Sequence, residues 1–316
     1  MDNRNPVLSI ILLSYYSSNR INSVFKQVFD MLGSQNISFE LIIVDDGSKD
    51  DSFAIATTLE NSYTNVKAYQ LSRNYTSHYS IFAGLSVCTG ACAVVITDDE
   101  QQPSSVIVDC YRLWEKNNKI IIPYRQSRGD SFFDKIWAIS FYKIMNALSD
   151  IALPPLGADT FFIDREVINI INERISPINT TSITEVLRLG FDPYYLPYTR
   201  SKSVTQSRWT FKKKWRLAKD FFFSSSTFPI KFITFLGLFF SSFAGLVTLV
   251  YIYAKLFGNQ NFWKQNAVPG WTSIIIFITF FSGLILFSLG IIAEYIWRIY
   301  EQVKNRPGYI IKNKNP

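Results

Sequence analysis

Three short apolar runs in the first third of the chain each break off into a polar loop. Val7 to Leu13 runs into Ser14-Tyr15-Tyr16. Leu41 to Val44 runs into Asp45-Asp46-Gly47-Ser48-Lys49-Asp50-Asp51, and Ala91 to Ile96 into Thr97-Asp98-Asp99-Glu100-Gln101-Gln102-Pro103. Runs of this length, rich in β-branched residues, predict strands buried on both faces, as in a parallel sheet. Helix-like segments alternate with them, one from about Asp51 to Asn61 opened by Ser48 or Asp50, another over Val167 to Glu173. That alternation predicts a doubly wound α/β domain. Such sheets bind ligands at the carboxyl ends of their strands, where the acidic turns emerge.

The pattern changes downstream. Asp130 to Asp150 and Trp209 to Phe223 predict amphipathic helices with wide aromatic faces, the second more basic and suited to a membrane surface. Phe232 to Ala254 and Gly270 to Ala293 contain no charged residue. Each exceeds the roughly 20 residues a helix needs to cross a bilayer, so both predict transmembrane helices. Lys212, Lys213, Lys214, Arg216, Lys219 and Lys231 precede the first span, and Arg298, Lys304, Arg306, Lys312 and Lys314 follow the second. The connecting loop holds only Lys255 and Lys264. By the positive-inside rule both termini and the large domain lie in the cytoplasm of a multi-pass inner-membrane protein. The predicted organisation is a catalytic domain over residues 1–205, an interfacial basic helix over 206–230, two spans over 231–297 and a cytoplasmic tail over 298–316.

Charge and cysteine content remove rival classes. The net charge of +7 gathers beside the spans, where anionic head groups attract it, and no nucleic-acid motif accompanies it. Cys88, Cys92 and Cys110 lack zinc-site spacing and predict reduced, buried thiols. Neither a dinucleotide glycine fingerprint nor a P-loop is present, so phosphate would be held by metal and side chains.

Taken in order, Val44-Asp45-Asp46-Gly47-Ser48, Leu71-Ser72-Arg73-Asn74-Tyr75, Ala83-Gly84-Leu85 and Asp98-Asp99-Glu100-Gln101-Gln102-Pro103 resemble family 2 glycosyltransferases of the GT-A fold. The stretch from Gly290 to Pro307 resembles the end of the polyprenyl-phosphate group within it, to which dolichyl-phosphate mannose synthases and bactoprenol glucosyltransferases belong. The resemblance implies a Rossmann-like, mostly parallel GT-A domain acting on a nucleotide-diphosphate sugar. It implies that Ser14, Tyr16, Asp45 and Asp46 form the nucleotide pocket. Asp99 is the expected ligand of Mg²⁺ or Mn²⁺, with Asp98 on the ribose, on a metal-bound water or on the metal itself. The family's metal turn usually reads Asp-x-Asp, and Thr97 stands for its first Asp. The family's first loop usually reads Pro-x-Tyr-Asn-Glu, of which Ser14 to Ser18 keep only the Tyr.

By the same resemblance Asp159 orients the acceptor or acts as base. Arg165, Lys202, Ser207 and Arg208 are expected at the lipid phosphate or the donor pyrophosphate. The implied reaction is an inverting transfer to polyprenyl (undecaprenyl) phosphate, serving cell-envelope polysaccharide or O-antigen modification. A phosphate acceptor is already an anion and needs positioning rather than a base. A hydroxyl acceptor on a lipid-linked sugar would need one, with Glu185 the candidate. An inactive membrane scaffold is the reading from another class. The spans leave packing against a second copy or a flippase partner both open.

Overall fold

In the computed structural model of the chain the described residues are 7–99, 102–127, 143, 158, 160–199, 228–257 and 271–312. The chain divides into two compact units, Met1–Ser225 with Asn305–Pro316, and Ser226–Lys304. The predicted amphipathic helices at 130–150 and 209–223 lie outside the described residues, save Lys143.

The first unit is built on a seven-stranded sheet. Its strands are β1 (Leu8–Ser14), β2 (Phe39–Asp45), β3 (Val66–Gln70), β4 (Cys92–Thr97), β5 (Ile120–Ser127), β6 (Phe162–Asp164) and β7 (Tyr194–Thr199). They lie in the order β3-β2-β1-β4-β6-β5-β7. All run the same way except β6, which is antiparallel to both neighbours. The three strands read from the apolar runs are β1, β2 and β4, side by side at the centre. This is the mostly parallel α/β architecture that the resemblance implies.

Strand pleating explains why these runs are apolar throughout. Leu8, Ile10 and Leu12 of β1 point into one core and Ile11 and Leu13 into the other. The first core is closed by helices α1 (Ile21–Ser34), α2 (Ser52–Ser62) and α4 (Ser105–Trp114). The second is closed by α3 (Ser77–Val87), α5 (Arg165–Arg174) and α6 (Ser182–Arg188). Full burial of each Val, Leu or Ile on these faces contributes about 1.5–3 kcal/mol. With both faces covered, the rim at the carboxyl ends of the strands is where polar chemistry can emerge.

The second unit holds two long helices, α7 (Phe228–Phe257) and α8 (Trp271–Val303). Phe240 of α7 meets Phe280 and Phe281 of α8 edge to face. Among the described residues one stretch, Phe280–Val303, is long and apolar enough to cross a membrane by length and composition. The first helix offers the shorter apolar stretch Phe228–Phe240. Leu238, Leu249 and Leu286 are each more than two-thirds exposed within the chain.

Candidate active site

Three loops meet at the carboxyl rim of β1, β2 and β4. The loop after β2 turns on Gly47, whose φ of +67° is left-handed and where a Cβ would stand 2.5 Å from the Arg73 carbonyl carbon. Only glycine accepts both conditions. The turn folds Asp45 inward. Its carboxylate accepts from Ser48 N at 2.9 Å and Gln70 Nε2 at 3.0 Å, and from Ser48 Oγ. Asp46 points toward the loop after β3 and accepts from Tyr75 N at 2.7 Å and Thr76 N at 2.9 Å. Burial pushes the Asp46 carboxyl up to about 6, against the pull of those two amide bonds.

The loop after β1 leans on this turn. Asp46 N donates to Ser14 O at 2.9 Å, and Tyr16 N donates to Ser48 Oγ at 3.0 Å. Ser48 therefore serves this junction rather than opening α2. Asp50 accepts from Ser52 Oγ at 2.6 Å, but α2 opens at Asp51 with no side-chain cap, so neither expected residue caps the helix. Tyr16 has φ +50° and is 45% exposed. Ser14 Oγ is buried and has no hydrogen-bond partner among the described residues. An unmatched buried hydroxyl costs about 1–3 kcal/mol, which a polar ligand at this rim would recover.

The acidic turn follows β4. Asp99 Oδ1 accepts from Thr97 Oγ1 at 2.6 Å, so Thr97 orients the carboxylate two positions after it. Asp98 faces the β1 loop. Its Oδ2 accepts from Ser17 Oγ and pairs with Arg20 Nη2 at 2.6 Å. The same guanidinium nitrogen donates to Tyr16 O at 3.1 Å. Arg20 and Ser17 thus join a site that the sequence reading placed on Ser14, Tyr16, Asp45, Asp46, Asp98 and Asp99. Beside the turn, Thr160 Oγ1 donates to Gln102 Oε1 at 3.1 Å.

Among the described residues no group of three or more His, Cys, Asp or Glu gathers to hold a metal. Asp98 and Asp99 supply two hard carboxylates on one turn. That suits a small divalent cation, which commonly takes one or two carboxylates and completes its shell with water and substrate phosphates.

Arg165 does not join this rim. Asp164 pairs with Cys92, the first residue of β4, placing both residues at the other end of that strand. Five steps along the six-residue strand separate its two ends, about 17 Å. There Arg165 Nε donates to Gly90 O at 2.7 Å, a bond that closes the sheet's amino-terminal edge. The expectation of Arg165 at a phosphate is corrected by this geometry. Asp164 is likewise structural: it caps α5 by accepting from Glu166 N at 2.9 Å and takes Trp114 Nε1 at 2.8 Å. Glu185 is buried on α6, paired with Arg188 Nη1 at 2.9 Å. Asp159, Lys202, Ser207 and Arg208 lie outside the described residues.

Comparison with known proteins places the chain in a family. The family model described as Glycosyl transferase family 2 matches residues 9–170. The chain is 30% identical to an uncharacterized glycosyltransferase of Synechocystis sp., over 97% of this chain and 95% of that protein. It is 29% identical to the SfII prophage-derived bactoprenol glucosyl transferase of Shigella flexneri, over 98% of each. A prophage bactoprenol glucosyl transferase homolog of Escherichia coli is 27% identical, over 96% of this chain and 98% of that one.

Proposed function

The chain belongs to glycosyl transferase family 2, and on that premise we propose that it moves a sugar from a nucleotide-diphosphate donor to polyprenyl phosphate, with inversion. The observation that carries this reading is the meeting of the Asp45–Ser48 turn, the Tyr16 loop and the Asp98–Asp99 turn at one rim. Full-length similarity to bactoprenol glucosyl transferases supports the lipid phosphate as acceptor. The long apolar helices, with Leu249 and Leu286 exposed, support a membrane setting in which that lipid is met.

Each group then has a task. Tyr16 offers an exposed ring to the base, and Ser14 Oγ an unused hydroxyl to the nucleoside. Asp45 and Asp46 hold their loops, leaving the backbone preorganised around the donor. Asp99, with Asp98, would hold Mg²⁺ or Mn²⁺, which when bound neutralises charge on the departing diphosphate. Asp159 and the cations Lys202 and Arg208, with Ser207, are assigned to the acceptor side on resemblance. Both spans, the inner-membrane location with cytoplasmic termini and a role in envelope polysaccharide or O-antigen modification belong to the same proposal.

The test is transfer of label from a panel of radiolabelled nucleotide sugars into undecaprenyl phosphate by membranes containing the protein, with Mg²⁺ or Mn²⁺. A mild-acid-labile lipid product, formed by wild type and not by Asp99→Ala, is expected. Donor hydrolysis without any labelled lipid would exclude polyprenyl phosphate as the acceptor.

A further inference from the structure

The last described residues form an isolated β-bridge to the sheet that the tail resemblance did not anticipate. Tyr309 to Lys312 run antiparallel to the stretch leaving β3, with Leu71 and Ile311 paired. Ser72 N donates to Ile310 O at 2.9 Å, and Lys312 N donates to Gln70 O at 2.8 Å. Side chains alternate: Tyr309 and Ile311 pack onto the second core, while Ile310 and Lys312 face outward. Tyr309 Oη donates to Phe82 O at 3.3 Å. The segment covers the carboxyl end of β3, which would otherwise be an open sheet edge beside the site.

We propose that this bridged C-terminal segment positions the donor pocket through Gln70, an inference that rests on the nucleotide-sugar reading above. Lys312 Nζ donates to Gln70 Oε1 at 3.2 Å. The other end of that amide, Nε2, donates to Asp45 Oδ2 at 3.0 Å. Asp45 holds Ser48 by N and Oγ, and Ser48 Oγ holds Tyr16 N. Each link has one direction. An ammonium can only donate and a carboxylate can only accept, so the amide between them has a single orientation. A cation outside and a buried anion inside polarise it in the same sense, which strengthens both bonds. At the far end stands Tyr16, left-handed in its backbone, a conformation that persists only where its surroundings hold it. Gln70 and Lys312 are therefore positioning residues for the aromatic that meets the base, and the bridged tail segment is what presents Lys312.

The test is donor binding by the full chain in detergent, by calorimetry with a panel of uridine and guanosine diphosphate sugars and Mn²⁺. Gln70→Ala and Lys312→Ala are each expected to weaken the tightest donor about three- to tenfold. The double variant should be no weaker than the poorer single one, because both cut the same line. Lys312→Arg should restore affinity, and KM for the lipid acceptor should not move. Thermal unfolding of each variant confirms that the fold survives. Wild-type binding with unchanged affinity in both single variants, or strictly additive losses, would overturn the inference and leave the donor reading intact. Failure of the wild type to bind any donor would remove both.

Discussion

Arg20 Nη2 stands 2.6 Å from Asp98 Oδ2, so one of the two carboxylates on the acidic turn faces a fixed cation of the chain itself. The pair joins the loop after β1 to the loop after β4, and both side chains are mostly buried. Charge-assisted contacts in such a setting are roughly twice as strong as neutral hydrogen bonds. A divalent ion seeking Asp98 competes with this guanidinium, while Asp99 is bound only by the neutral Thr97 hydroxyl among the contacts described. Arg20→Ala is therefore expected to tighten Mn²⁺ binding in the absence of nucleotide, by about three- to tenfold. It should also weaken whatever donor binding persists in EDTA, because the guanidinium is a fixed cation at the rim. Electron paramagnetic resonance of free Mn²⁺ measures the first effect and calorimetry in EDTA the second. Equal Mn²⁺ affinity in both proteins would show that Asp98 takes no part in holding the ion.

The centre of the fold was legible because each of its strands is buried on both faces. β1, β2 and β4 read as unbroken apolar runs for that reason. β6 was not legible: three residues, antiparallel between β4 and β5, leave no period to read. β7 lies at the sheet edge with most of its side chains exposed, which weakens the alternation that marks a strand. The acidic turns were placed correctly at the rim because each directly follows a strand. Arg20 was missed because its partner is 78 positions away and nothing local marks it. The signal that existed was the departure of Ser14 to Ser18 from the family's first loop. Arg165 misled for the complementary reason: a motif match carries residue type but not which end of a strand the residue occupies.

Gly47 carries the second prediction. Its φ is +67°, and an added Cβ would press on the Arg73 backbone, which cannot swing aside as a side chain tip can. Gly47→Ala should destabilise the loop by about 1–3 kcal/mol, the usual scale of a strained backbone position. Asp45 and Asp46 immediately precede this residue, so the loss should appear as weaker donor binding together with a lower Tm. Calorimetry and thermal unfolding of the same preparation measure the two. A variant that keeps wild-type donor affinity would show that the turn geometry does not shape the pocket.

Asp46 gives the pH dependence. Its folded pKa, about 6, lies above the ordinary 3.8, chiefly because burial penalises the charge. A group raised on folding contributes stability when protonated and loses it as pH rises through the folded value. Relative to Asp46→Asn, the wild type should lose stability as pH climbs from about 4 to about 6 and level off above that. The charged form is nonetheless the better acceptor for Tyr75 N and Thr76 N, so the loop should be most ordered above pH 6. Tm differences between the two proteins across pH 4 to 8 test the first statement, and amide exchange at Tyr75 and Thr76 the second. A difference in Tm that does not change with pH would place the titration elsewhere.

Glu185 separates the two kinds of acceptor. A phosphate acceptor arrives as an anion and asks for no proton to be removed, whereas a sugar hydroxyl needs a base within reach. Glu185 is buried and paired with Arg188 at 2.9 Å, one helical turn along α6. That pairing favours the carboxylate as a structural partner of its own helix. Glu185→Ala would leave the Arg188 charge half-exposed rather than buried, so its structural cost should stay near 1 kcal/mol. Transfer to undecaprenyl phosphate by Glu185→Ala is therefore expected within about twofold of wild type. Removal of a general base costs about 100-fold or more. A loss of that size, in a variant whose Tm and donor affinity are preserved, would identify Glu185 as the base and move the acceptor from a phosphate to a hydroxyl.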